Sequence, residues 1–163
     1  MDKNKLKKIS IYSIIVGMIL GAAAIIPFLQ ILSVIIMSII SGIIIVIYME
    51  KKSEIGQLTI KGAGIIGAYI GLISLIGFLL IYLPSAAILG AIFELISPNS
   101  IYFSGIKFLI QIWWLLILMG GIITALFNSF ALISYIYIKD TYFMIEGKKE
   151  VKGNFKPRNK DEF

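Results

Sequence analysis

Cysteine and histidine are both absent from the 163 residues. With them go disulfides, thiolate nucleophiles, imidazole bases and the ligand sets of most zinc and haem sites. Charge is scarce as well: Asp, Glu, Lys and Arg make up only 15% of the chain, and one arginine, Arg158, stands beside fourteen lysines. No glycine loop leads into a lysine and a hydroxyl, as a nucleotide-phosphate cradle requires, and no pair of acids sits at helical spacing inside an apolar run. The sequence therefore predicts neither an enzyme nor a bound cofactor or metal.

What remains is apolar. Hydrophobic residues reach 59% and mean hydropathy is +0.97, far from the balance of a water-soluble domain. The expected class is an all-α, polytopic membrane protein, one integral domain over 1–163 in contact with the lipid bilayer.

Four apolar runs are long enough to span a hydrocarbon core of ~30 Å at ~1.5 Å rise per residue. They lie at about 9–29, 31–49, 62–83 and 107–138, and predict a four-transmembrane-helix bundle. A basic head, residues 1–8 (MDKNKLKK), precedes the first run. The same features describe a cleaved secretory signal ending in Ala22-Ala23-Ala24. The apolar run continues past those alanines, however, and no polar region precedes them, which favours an uncleaved span. Pro27 stands where this span should end or kink. Between spans three and four, Ser85–Ile96 (SAAILGAIFELI) is too short and too polar to cross, so it reads as an interfacial or re-entrant helix after a stop near Pro84; a loop packed on the bundle is the rival.

Small residues recur at helical spacing. Gly17 and Gly21 mark the first span, Ala63, Gly67 and Gly71 the third, and Gly121, Ala125 and Ser129 the fourth. Such stripes let helix backbones approach closely where lipid removes the hydrophobic drive to associate, so these eight are the expected helix-packing residues. The pairs Gly17/Gly21 and Gly67/Gly71 share an offset of 50, which fits a duplicated hairpin, although two such pairs arise easily by chance in glycine-rich helices and chance is the favoured reading.

The lysines report on sidedness. With the N-terminus, the Glu50–Lys61 loop and the C-terminus on one side, fourteen of the fifteen Lys/Arg residues lie there and Lys107 alone lies opposite. A positive-inside distribution of this kind predicts a multi-pass protein of the cell membrane with both termini cytoplasmic. It also explains the net charge of +6 without nucleic acid. The basic tail 139–163, with glycines and a proline among its charges, is expected to be partly disordered and is a candidate surface for anionic lipid.

Polar side chains within the spans are the remaining candidates. Glu94, Gln111 and Asn128 would lie near a pathway if one exists; otherwise Glu94 is an interfacial carboxylate within reach of Lys107, and the two amides are interhelical hydrogen-bonding groups.

The order of these features resembles a loose group of small four-helix membrane proteins of bacteria and archaea that have no assigned activity. The resemblance is carried by Gly17 and Gly21 before Ile26-Pro27-Phe28, by Tyr48 before a lysine pair, and by Lys61-Gly62-Ala63-Gly64 opening a glycine-rich helix. It covers about Val16–Leu83 and implies the four-helix topology. The functional expectation is a non-enzymatic membrane protein acting through helix packing, as a homo-oligomer or beside a larger membrane partner. The alternative is a small oligomeric transporter or channel.

Overall fold

The computed structural model describes the backbone of residues 3–56, 58–96 and 101–145, and the side chains of these except 27, 93–96, 101–117 and 144–145. All regular elements among the described residues are helical. Helix α1 (Lys3–Ala23) is followed by α2 (Pro27–Ile35), a π turn (Ile36–Ile40), α3 (Ser41–Lys51), α4 (Ile60–Ile96) and α5 (Ile101–Ile145). Four stretches are long and apolar enough to cross a membrane: Lys3–Ala23, Phe28–Lys51, Ile60–Ile92 and Leu118–Phe143.

Boundaries follow local chemistry. Ile26 is extended, at φ −82 and ψ 118, as the residue before a proline prefers, and Pro27 opens α2 at a position whose N–H no helix would use. The first span thus ends at Ala23 rather than at Leu29. Helix α3 closes in a Schellman turn: Glu54 N–H donates to the Met49 carbonyl at 2.9 Å and Ser53 N–H to that of Glu50 at 2.9 Å, with Ser53 left-handed at φ 54. Thr59 caps α4, its hydroxyl accepting the Gly62 N–H at 3.1 Å.

Two further expectations are corrected. The third span does not stop at Pro84; α4 runs through it for 37 residues, so Ser85–Ile96 is its last three turns and not a separate surface or re-entrant helix. Pro84 and Leu80, whose carbonyl loses its donor to the proline ring, both lie on the exposed side, where the missing bond strands no group in the core. Helix α5 also begins earlier and ends later than 107–138.

Helix α4 is central. It packs parallel to α1 and antiparallel to α5, while the α2–α3 rod closes the bundle from the other side. Two apolar clusters form the core. One, toward the lysine-rich end, gathers Ile9, Ile45, Val46, Met49, Ile66, Ile70, Leu132 and Ile136; the other holds Ala24, Met37, Leu75 and Phe78. A layer of polar side chains lies between them: Ser13, Ser41, Ser74, Thr124 and Asn128 are all buried.

Candidate functional site

The densest polar contact is built on the π turn. Ser41 N–H reaches back five residues to the Ile36 carbonyl, so the Met37 carbonyl loses the backbone donor that an α-helix would supply and accepts the Ser41 hydroxyl at 2.7 Å instead. Helix α5 answers with Asn128, which is fully buried. Its Nδ2 donates to the carbonyls of Met37 at 2.9 Å, Ser38 at 2.8 Å and, in its own helix, Thr124 at 3.0 Å. Its Oδ1 accepts the Gly42 N–H at 2.8 Å, with the Ser41 hydroxyl at 3.0 Å. The Gly42 N–H can only donate, which fixes which way the amide faces. Gly42 is small by necessity, since a β-carbon there would lie 2.9 Å from Oδ1.

An amide with every position engaged does no acid–base chemistry and faces no open path. It ties α5 to a rod whose backbone would otherwise hold unpaired polar groups in an apolar interior. Thr124 extends the layer toward α4, its Oγ1 lying 2.8 Å from the Gly120 carbonyl and 3.4 Å from that of Gly71.

The small-residue stripes fill the interfaces between α4 and its neighbours. Substituents at Gly17 and Gly77 would strike the Ser74 and Ile14 carbonyls, and one at Gly21 would lie 2.5 Å from the Phe78 carbonyl, so α1 and α4 meet backbone to backbone. On the α5 side, β-carbons at Gly67 and Gly71 would lie 2.6 Å and 2.5 Å from the carbonyls of Asn128 and Thr124, and Gly71 also faces Ala125. Ser129 donates to the Gly64 carbonyl, and Ala63 is fully buried in the core. Gly121 meets only side-chain carbon, Leu72 Cδ2 at 3.3 Å. The two glycine pairs at offset 50 thus face different partners, one a parallel helix and one an antiparallel one. Gly77, Ser74 and the Ser10–Tyr69 hydroxyl pair at 2.7 Å complete the α1–α4 interface. Sequence reasoning passed over these three because none belongs to a repeated small-residue pair.

Of the polar-pathway candidates, Asn128 takes the place just described, and the side chains of Glu94 and Gln111, like that of Lys107, lie outside the described residues. The basic tail beyond residue 145 lies outside them too.

Ion pairs hold the lysine-rich end. Lys8 Nζ meets Glu54 Oε1 at 2.9 Å and Lys139 Nζ meets Glu50 Oε2 at 2.7 Å, which brings the start of α1, the α3–α4 loop and the end of α5 to one end of the molecule. Tyr12 also donates to Glu54, at 3.2 Å. The Lys8 hydrogen bond is the chief reason the Glu54 carboxyl is held below its ordinary value. At the other end Gln30 Nε2 donates to the Tyr82 hydroxyl at 2.7 Å, and Tyr82 stacks on Phe78.

A shallow groove of about 510 Å³ runs between the α2–α3 rod and α5, lined by Ile39, Ile43, Phe127, Phe130 and Ile138 among others. Among the described residues no three His, Cys, Asp or Glu side chains converge on a metal-sized site. No family model matches the chain, and no curated protein and no solved structure matches it.

Proposed function

We propose that this chain is a small multi-pass protein of the cell membrane, with both termini cytoplasmic, that acts without catalysis through helix packing, as an oligomer or as an accessory subunit of a larger membrane protein. The observation that carries the membrane reading is the exposure of large apolar side chains along every helix, among them Ile19, Phe28, Ile31, Ile65, Leu126 and Phe130. In water such a surface would be one continuous aggregation patch; in hydrocarbon it is the expected exterior. The shared end of the lysine-bearing segments supports the orientation, and the resemblance to small four-helix membrane proteins of bacteria and archaea belongs to the same reading.

The non-enzymatic part is supported by the buried amide of Asn128, which with Ser41 and Thr124 is engaged in bonds that run between helices. The glycine stripes are occupied within the chain, so a partner or a second copy would meet the large side chains of the outer faces. The transporter or channel alternative draws no support from Asn128, whose amide has no bonding position to offer a solute.

Two measurements on the full chain test this. Carbonate-washed membranes should retain it, and release into the supernatant overturns the membrane reading. Native mass spectrometry from a mild detergent, after crosslinking in intact cells, should then give an oligomer or a stoichiometric larger protein. A lone monomer overturns the assembly.

A further inference from the structure

At the end where α1 and α4 begin, eight described lysines (3, 5, 7, 8, 51, 52, 61 and 139) stand with three described acids, Glu50, Glu54 and Asp140. The arrangement is directional. Glu54 and Glu50 are turned inward, with side chains 16% and 18% exposed, while their partners Lys8 and Lys139 are 49% and 31% exposed. The two paired anions therefore lie on the inside of this collar, Asp140 is exposed, and the lysines face outward. Lys3, Lys5, Lys7 and Lys51 are exposed and make no ion pair with a described residue.

One cation is held in place. Lys52 Nζ sits 4.5 Å above the ring of Tyr48, and Tyr48 packs edge-on against Tyr12 at 5.2 Å between centroids. Tyr48 is itself half-exposed, at the level where apolar helix gives way to charge. Tyrosine at that level marks a headgroup interface. Like charges gathered there repel one another, and an external anion relieves the repulsion.

We propose that this collar binds anionic phospholipid headgroups, with Lys52 over Tyr48 as its fixed contact and Lys3, Lys5, Lys7 and Lys51 as its outer charge. The inference rests on the membrane reading above. A bilayer presents phosphates in a plane around a helical shaft, which matches a ring of outward cations at the end of an apolar surface. A basic side chain near an anionic leaflet contributes about 1 kcal/mol, or about five-fold in affinity. A lysine already positioned over a ring loses less freedom on binding than an unanchored one.

The test uses the full chain in nanodiscs of phosphatidylcholine alone and of phosphatidylcholine mixed with phosphatidylglycerol. Native mass spectrometry counts the lipids retained, and circular dichroism confirms the helices. Wild type should retain phosphatidylglycerol preferentially. The preference should fall about five-fold for each of Lys5→Gln, Lys7→Gln and Lys51→Gln combined in turn, and should survive the matching arginine substitutions. Added salt should weaken it. Equal retention of the two lipids, or a preference that the triple glutamine variant keeps, overturns the inference. So does an oligonucleotide that binds the collar of a protein indifferent to the lipids, which would assign it to nucleic acid. A chain that enters no nanodisc overturns the membrane reading instead, so the two failures are separate.

Discussion

The side-chain oxygen of Asn128 on α5 accepts the backbone N–H of Gly42 on α3 at 2.8 Å, across 86 residues of sequence. This bond and the two from Nδ2 to Met37 and Ser38 make the π turn tenable, because the groups it takes out of the α-helical pattern find partners on another helix. Asn128→Ala takes these partners from the Gly42 N–H and the Ser38 carbonyl, while the Met37 carbonyl keeps the Ser41 hydroxyl at 2.7 Å, and each buried group left unpaired costs about 1 to 3 kcal/mol. Relaxation of the rod toward a plain α-helix returns part of this. The expected net loss is about 2 to 3 kcal/mol, read from reversible unfolding in mixed micelles. Asn128→Asp should be worse than alanine near neutral pH and should recover in acid, because a carboxylate would face three carbonyl oxygens. A variant Asn128→Ala within about 0.5 kcal/mol of wild type would show that the network is dispensable.

Glycines divide sharply by what surrounds them. At Gly17, Gly67, Gly71 and Gly77 an added methyl group meets backbone, which cannot move without separating two helices. Alanine at any one of these should destabilise by about 1 to 3 kcal/mol. At Gly120 the nearest atom is the flexible tip of Leu75 at 3.8 Å, so alanine fits and its better helix propensity should gain up to about 1 kcal/mol. Thermal midpoints of the five variants, measured in one detergent, check the ordering. Equal effects at Gly120 and Gly67 would mean that α4 and α5 are not in the contact described.

Much of this architecture was legible because long apolar runs and small-residue stripes are periodic signals. The eight expected packing residues all lie on helices, and Gly17, Gly21, Gly67 and Gly71 sit where backbones touch. What escaped was non-periodic. Nothing in Ile36–Ile40 distinguishes a π turn from an α turn, since it depends on a partner on a distant helix. Ser38, Ser41 and Gly42 are small residues close together in the second apolar run, but no pattern assigns Asn128 to them. Pro84 read as a stop because a proline inside a helix costs about 3 kcal/mol in water. Helix-forming sequence on both sides outweighs a single missing bond on the exposed flank. Glu54 was invisible as a site because its partner Lys8 lies 46 residues away, in a segment read only for its charge.

Ser53 is the one described non-glycine residue with a positive φ, at 54°, and it ends α3. A side chain in this left-handed position costs about 1 kcal/mol that glycine avoids. Ser53→Gly should therefore stabilise the protein or leave it unchanged, and the Lys8–Glu54 contact should persist. A loss of stability would imply that the serine side chain supports the turn. A drop in the thermal midpoint, with the helical circular dichroism retained, would be the sign.

The Lys8–Glu54 pair predicts how the lysine-rich end responds to acid. The Glu54 carboxyl is held below its ordinary 4.5, first by the Lys8 hydrogen bond, with further help from the Lys8 charge and the Tyr12 hydroxyl, against some burial. A carboxyl with a depressed folded-state pKa stabilises the fold fully above its unfolded value, and that contribution is lost as pH falls through the lower folded value. Stability should thus be flat in this respect from neutral pH down to the ordinary carboxylate range and decline only below it. Lys8→Gln removes the main cause and should move the Glu54 titration upward toward 4.5. Glu54→Gln should abolish that part of the acid dependence. Side-chain carboxyl resonances of carbon-13-labelled protein in micelles report the titration directly. A Glu54 signal that titrates at the same pH in wild type and Lys8→Gln would rule out the ion pair as its cause, and with it the tie between α1 and the α3–α4 loop. The pair is partly exposed, so salt should weaken its effect on stability without moving the helices.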